Sequence, residues 1–466
     1  MKVFSVNSNA LRFSDRLVPS FYFYTEQIKD QNIRHGIEYI KLGRYATISD
    51  GEHSAIPRNK NHGIRYLYGR NIKEGVIDFD PISDDPYIDA IDYNTFTRCH
   101  INQNDVLIAI YGTVGKSAVY KQEYVGPAGI PRHISNITLK KSAPITPEYL
   151  TSFFRSKYGK WQIFSLMTGN IQQLLSLKNL REYDVPVVEK QIMEHISQYE
   201  KQALQYEIEA QEKIIKAQKM FYEGLNFDVN SVKRDFSFTV SFKQLCEDNI
   251  WSTSYFDKLF VKMEEAIEHH NGIKTLRDLV DAIHGDEVGS ENYKEFVDRN
   301  LSDKPFIRTS DIVNHEVDLY PDYYVDESVY SDIDQDIKPG DVIFTKDGKV
   351  GCVGMITNSD NVILSSGIER LRLKKSAIDA GFTQEYLFVA LSIPEVGLYA
   401  ARRRTVIAST IPHLRVDRLM DIEIPNMKQT IINGITGLVK DAFELKGKRK
   451  ALLKQSDLFL ENYFMS

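Results

Sequence analysis

Two stretches decide the fold: "INQNDVLIAIYGTVGKSAVY" (Ile101–Tyr120) and "IKPGDVIFTKDGKVGCVGMI" (Ile337–Ile356). Set one above the other, Asp105 falls on Asp341, Gly112 on Gly348 and Gly115 on Gly351, at a shift of 341 − 105 = 236. Each reads as Asp, an apolar run, Gly, two residues and Gly. That is a strand entering a tight turn where glycine adopts positive φ without steric cost.

The correspondence spreads outward from there. "IKLGRYATISDGE" (Ile40–Glu52) matches "IKTLRDLVDAIHGDE" (Ile273–Glu287), and "PSFYF" matches "TSYFD". "PAGIPRHISNITLKK" is answered by "LSSGIERLRLKK", which sets Arg132 against Arg370. "ITPEYL" is answered by "FTQEYL" and "DVPVVEKQI" by "EIPNMKQTI", and each copy closes with "MFYEGLNF" or "LFLENYF". The chain is a duplication, and 466 residues suit more than one core.

Each copy mixes short β-type runs with Gly and Asn turns, then ends in a long amphipathic helix. "PEYLTSFFRSKYGKWQIFSL" and "QEYLFVALSI" read as helices that open after a Thr. In the first long helix Ile192, Ile196, Tyr199, Ala203, Tyr206, Ala210, Ala217 and Met220 recur at alternating four- and three-residue steps, with Lys213 breaking the seam. In the second, Ile431, Ile435, Leu438, Ala442, Leu445, Leu452 and Phe459 do the same, with Arg449 and Ser456 as exceptions. Such stripes let two helices zip together. Roughly 33 residues at about 1.5 Å rise make rods of about 50 Å.

Several apparent motifs fail on inspection. A phosphate-binding loop needs a glycine five places before its Gly-Lys-Ser; counting back from Gly115-Lys116-Ser117, that place holds Ile110, and the second copy has lost the Lys and Ser. "SDDPY" (Ser83–Tyr87) lacks the second proline of an amino-methyltransferase signature. "DIDQDIKPGD" has Ile337 and Ile343 where a calcium loop needs Gly and Glu. His269-His270 has no ligand spacing, and His53 and His284 do not align strictly. Cys99, Cys246 and Cys352 are unpaired in spacing, as expected of reduced thiols. No apolar run approaches a membrane span, and "MKVFSVNSNALRF" has no signal pattern, so a cytoplasmic protein is expected. The net charge of −6 does not advertise a nucleic-acid binder, but local basic surface decides that question.

Three blocks carry a family resemblance: "ISDGEHSAIPRNKNHGIRYLYGRNIKEGVID", the paired glycine-turn stretches, and "GNIQQLLSLKNLREYDVPVV" before a long helix, repeated as "RRRTVIASTIPHLRVDRLMDIEIPNM". In this order, twice, they resemble the specificity subunit of a type I restriction–modification system. The resemblance implies an α+β chain with two homologous target-recognition domains in pseudo-two-fold arrangement, separated by an antiparallel two-helix coiled coil. The corresponding boundaries are 1–188 and 227–426 for the domains, and 189–226 and 427–466 for the helices.

It further implies that each domain reads one half of a split site in double-stranded DNA. N6-adenine methyltransferase subunits would dock on the scaffold, with room for a translocase–nuclease subunit. S-adenosylmethionine, and ATP and Mg where used, would sit on those partners, with no cofactor and no chemistry in this chain. Rival readings are the specificity component of a type IIB or phage-exclusion modification system, and a stand-alone DNA-binding scaffold.

Candidate DNA contacts follow from basic residues interleaved with aromatics. Arg58, Lys60, His62, Arg65 and Arg70 cluster with Tyr66 and Tyr68 in the first copy. Arg402, Arg403 and Arg404 form a row in the second, with a counterpart near "SLMTGNIQQ". Lys116, Lys346 and Lys349 flank the glycine turns, and Arg132 and Arg370 complete the set. On this reading Arg403→Ala weakens binding and flattens its salt dependence.

Overall fold

The fold is that of a computed structural model which describes residues 21–25, 36–58, 63–79, 86–169, 173–226, 237–248, 251–253, 255–268, 272–300, 302–408 and 411–465. The chain is α+β and divides into two compact units. One is formed by the described residues up to 205 together with 449–465, the other by those from 206 to 448.

In the first unit, β1 (Ala46–Asp50), β2 (Val106–Ala109), β3 (Ser117–Val119) and β4 (Ile134–Leu139) make an antiparallel sheet in the order β1-β4-β2-β3. In the second, β5 (Val280–His284), β6 (Val342–Thr345), β7 (Val353–Met355) and β8 (Ile368–Leu373) repeat it in the order β5-β8-β6-β7. The smaller elements repeat as well. Glu38–Lys41 pairs with Asp184–Val187, and Ile273–Thr275 with Glu423–Pro425. Ile64–Tyr66 lies parallel to Ala128–Gly129, and Lys304–Ile307 parallel to Ile363–Leu364.

The residues shared by the two copies explain why. Asp105 accepts the backbone N–H of Asn102 at 2.8 Å, and Asp341 accepts that of Lys338 at 2.8 Å, so each Asp closes the turn that launches β2 or β6. The glycine turns have the expected backbone: φ is +77° and +89° at Gly112 and Gly115, and +64° and +92° at Gly348 and Gly351. Thr146 and Thr383 cap their helices by accepting from Tyr149 N and Tyr386 N, both at 3.1 Å. Tyr149 and Tyr386 then donate through their hydroxyls to the Pro186 and Pro425 carbonyls. A buried hydroxyl needs such a partner, so the Tyr of "EYL" and the Pro of "VP" or "IP" recur together.

One expected helix is two. α1 (Pro147–Arg155) stops at Ser156, whose extended backbone breaks the run, and α2 (Lys157–Leu166) starts with Ser156 Oγ accepting from Gly159 N at 3.1 Å. In the second unit α4 (Gln384–Ser392) is likewise followed by a new helical stretch from Pro394.

The long helices are α3 (Lys190–Leu225) and α5 (Gln429–Met465). Within the first unit residues 190–205 run antiparallel to 449–465: the His195 and Phe459 rings are 5.8 Å apart, and Ser456 Oγ donates to Glu200 at 2.8 Å. Within the second, 206–225 run antiparallel to 429–448, with Lys213 on Asp441 at 3.0 Å and Gly224 beside Ile431.

The apolar stripe is only half of the seam. Ile196, Ala203, Ala210, Ala217, Ile435 and Ala442 are buried as expected, but so are Glu200, Glu207, Lys446, Arg449, Lys450 and Ser456. Of these, the sequence marks only Arg449 and Ser456, as breaks in the stripe. Glu200 and Lys446 reach partners in the globular part: Arg155 donates to Glu200, and Lys446 to Glu316 at 3.2 Å.

Beside Lys446, the hairpin turn Asn314-His315 takes positive φ at both residues, +47° and +68°, and carries the His315 ring inward. Burial, with Lys446 adding to it, pushes the His315 imidazole down to about 4. It is neutral in the fold, whereas the unfolded chain takes up a proton below about pH 6.5. Stability is therefore full above that value and falls by about 1.4 kcal/mol per pH unit down to about pH 4, about 3 kcal/mol in all. Urea unfolding at pH 7.5 and 4.5 checks this. His315→Asn, which tolerates the same φ, should remove that share of the slope.

Candidate nucleic-acid interface

Five short loops meet at one end of the first unit's sheet. The glycine turn 111–115 touches the loop at 69–71 through Thr113 Oγ1, which donates to Gly69 O at 3.3 Å. It touches the loop at 131–133 through the Tyr111 and His133 rings, 5.2 Å apart, and through Ile110 N donating to His133 O. Leu175 N donates to Ile110 O, which brings in 173–175, and Arg132 N donates to Glu52 O, which brings in 50–53.

The second unit assembles the same five. Gly348 N donates to Pro412 O, Lys346 N to Gly367 O, Ser366 N to Asp286 O, and Thr309 packs against Gly367. The shared Gly of the Asp-Gly and His-Gly phrases makes the closest approach. A Cβ on Gly51 would overlap the Ile130 carbonyl and sit 2.5 Å from its carbon, and one on Gly285 would sit 2.6 Å from the Ser365 carbonyl carbon.

The side chains on this frame differ between units. In the first, the Arg58 guanidinium lies 4.3 Å from the Tyr66 ring centroid and 4.2 Å from that of Tyr68, and Arg70 lies 4.6 Å from Tyr68 on an exposed loop. Arg–ring stacking of this kind holds a charged fork in place. Arg65 points to the other side of its strand, onto Phe79 and Tyr87. Arg132 is exposed. Asp50 accepts from His53 Nε2 at 2.8 Å and pairs with Arg98. Burial works against its charge, but those bonds hold its carboxyl below the usual range.

In the second unit Arg308 occupies the place of Tyr68, 4.3 Å from the Tyr323 centroid and bonded to Asp322 at 2.8 Å. Arg299 lies 3.6 Å from Phe296 and 5.0 Å from Tyr324, and Lys304 lies 4.4 Å from Tyr330. His284, in the place of Asp50, bonds Glu369 at 2.5 Å. Arg299, Lys304 and Arg308 were absent from the sequence-based candidates. Their signal was the offset itself, since they fall in the second copy's version of the Arg58–Arg70 segment.

Several candidates are placed elsewhere than at an open surface. Arg403 is 8% exposed, paired with Glu264 and stacked 4.1 Å over Tyr255; Arg404 pairs with the same Glu264 at 2.7 Å. Burial of Arg404 pushes its guanidinium below the ordinary value. These two brace the helix Lys258–Glu268, so the expected phosphate role of Arg403 is corrected to a structural one. Arg403→Ala should then lower stability by about 3 kcal/mol, as removal of one partner from a buried pair does, and leave the salt slope of any DNA binding unchanged. Denaturant unfolding beside a salt titration separates the two roles. Arg402 is half-buried.

Lys116 stands where the second copy has Cys352, and is buried like it. Lys346 is buried against Asp347 at 2.9 Å, and Lys349 is half-buried. Arg370 is 3% exposed and 4.0 Å from Asp341. Its counterpart is Asn136, since 370 − 136 = 234 equals 285 − 51 = 234. Arg132 instead matches Ser366, both donating backbone N–H to the loop beside the shared Gly. Lys60, His62, Ser83–Asp85 and His269-His270 lie outside the described residues.

Among the described residues, no group of three or more His, Cys, Asp or Glu is placed to hold a metal ion, and no helix is long and apolar enough to cross a membrane. No protein-family model matches the sequence, and no curated protein matches it significantly. Among solved structures, the chain is similar to the type I restriction–modification S subunit from M. genitalium, at 11% identity over 92% of this chain and 97% of that one, with a TM-score of 0.35. It is similar to the HsdS subunit from Thermoanaerobacter tengcongensis, at 14% identity over 93% and 98%, with a TM-score of 0.29. A third similar chain, described for complex assembly and conformational transition of the type I R-M system, has 14% identity over 93% and 98%, with a TM-score of 0.27.

Proposed function

We propose that the chain is the non-catalytic, sequence-specific DNA-binding specificity subunit of a type I restriction–modification assembly. Each unit reads one half of a bipartite site, and the helices set the spacer and dock N6-adenine methyltransferase subunits, which bring S-adenosylmethionine. The observation that carries the reading is one loop frame built twice with different side chains. A single recognition surface would not need a duplicate, and a duplicate reading two identical words would not need Arg308 at one position and Tyr68 at the other.

Stacked arginines supply the contacts. Arg58 and Arg70 serve one half-site, Arg299 and Arg308 the other, with Arg132, Lys349 and Arg402 as further phosphate contacts. Loss of one bidentate base contact costs about 1–3 kcal/mol and relaxes sequence preference at that position alone. Arg58→Ala should therefore degrade one word and Arg308→Ala the other. Lengthening either long helix should change the spacer and spare both words.

The test is co-expression with an N6-adenine methyltransferase subunit and mapping of N6-methyladenine. A split motif with methylated adenines on opposite strands is expected. A continuous short motif would overturn the reading.

A further inference from the structure

One pair of equivalent positions from the two repeats meets in the helix pair. Ser197 and Thr436, which bond Thr146 at 2.6 Å and Thr383 at 2.7 Å, are counterparts 436 − 197 = 239 residues apart. The buried residues Ile196 and Ala203 have Ile435 and Ala442 as counterparts at the same offset. Glu207 and Lys446 keep that offset too, and these two touch: Lys446 Nζ donates to both Glu207 oxygens, at 3.0 and 3.1 Å, with neither side chain exposed. A residue that contacts its own counterpart sits where a helix paired with a second copy of itself would meet itself. There the first repeat would bury Glu207 against Glu207, and the second Lys446 against Lys446.

A second place along the seam points the same way. Arg155 pairs with Asp457 at 2.8 Å and Ser456 donates to Glu200. At the offset of 239, the first repeat's own versions of Asp457 and Ser456 are Gln218 and Ala217, which offer Arg155 no charge and Glu200 no donor. Like charges brought together in a dry interface are strongly disfavoured, and this is how paired helices reject wrong partners.

We propose that the Glu207–Lys446 contact selects the partner in the helix pair: it admits one helix from each repeat and rejects a second copy of the same repeat. The chain thereby keeps its two different halves together and does not exchange into symmetric assemblies. This inference is independent of what the units bind.

The test uses the full chain with a protease site placed between residues 226 and 237, folded and then cleaved. Isotope-labelled and unlabelled samples are mixed and held in urea below the unfolding midpoint until the labels have scrambled between fragments. Native mass spectrometry then counts N–C, N–N and C–C pairs. Without selection, N–C pairs make up roughly half of the total. The wild type should hold N–C pairs at about 95% or more, which corresponds to a preference of well over tenfold. Glu207→Leu with Lys446→Leu and Glu316→Gln should bring the share toward about half. The reversal Glu207→Lys with Lys446→Glu keeps one cation among the carboxylates and should retain the preference. Chance proportions in the wild type would overturn the proposal even if no variant folds, and so would an undiminished N–C preference in the apolar variant.

Discussion

Arg155→Met is expected to destabilise the first unit by about 3–5 kcal/mol, enough to unfold a marginal domain. Arg155 is 1% exposed on α1 and reaches two segments at once: Nη2 and Nη1 donate to Glu200, and Nε to Asp457 at 2.9 Å. Methionine preserves the packing of the stem but strands the Glu200 carboxylate, itself buried, with Ser456 alone among the described residues donating to it. The cost is that of an uncompensated buried charge, and the net worth of the intact bridge is smaller. The diagnostic is partial rescue by Glu200→Gln in the Arg155→Met background, because an amide is far cheaper to bury than a carboxylate. Denaturant unfolding of both variants gives the comparison. Equal stability of the single variant and the wild type would mean that Glu200 finds water or another donor, against the geometry seen here.

Gly285→Ala and Gly51→Ala should each cost about 1–3 kcal/mol or more, because the new methyl meets backbone and not a side chain that can swing away. At Gly285 three backbone atoms stand in the way: the Ser365 oxygen and carbon and the Leu364 oxygen at 2.7 Å. The loops at 284–287 and 364–366 must part, and with them the bonds Asp286 N to Leu364 O and Ser366 N to Asp286 O. Under the proposed function, the affected unit should lose DNA affinity beyond what its lower stability explains, while methylation of the other half-word keeps its sequence preference. Site mapping with each variant in turn reads this out. A substitution that degrades both words equally would show that the two frames do not act separately.

The duplication, the glycine turns and the Thr–Tyr helix caps were legible because each rests on a backbone requirement that only one or two residue types satisfy. What was hidden has physical reasons as well. Ser156 is unremarkable inside a helical pattern until its hydroxyl is seen to cap the next helix. Glu200, Glu207 and Lys446 count as surface residues in any apolar-periodicity search, since partners that make their burial tolerable lie on distant segments such as Arg155 and Glu316. Arg370 invites a match to Arg132 because both are arginines a few residues before "LKK" or similar, whereas the hydrogen-bond register shifts the match by four. In the candidate interface, Arg58 and Arg70 stood out by local density alone. Arg299 and Arg308 required carrying the repeat offset through to its end. Arg403 looked exposed only because charge in a row resembles a solvated face, and Glu264, more than a hundred residues earlier, neutralises it.

The first unit is completed by residues that follow the whole of the second unit in the chain. Phe464 packs 6.0 Å from the Phe153 ring and 5.2 Å from that of Tyr158, and Asp457 answers Arg155. At a ribosomal pace of roughly 5–20 residues per second, tens of seconds separate the emergence of Phe153 from that of Phe464. During that interval the Arg155 guanidinium has Glu200 but not yet Asp457, and the nascent lobe presents a bare aromatic shelf, the sort of surface that holding chaperones cover.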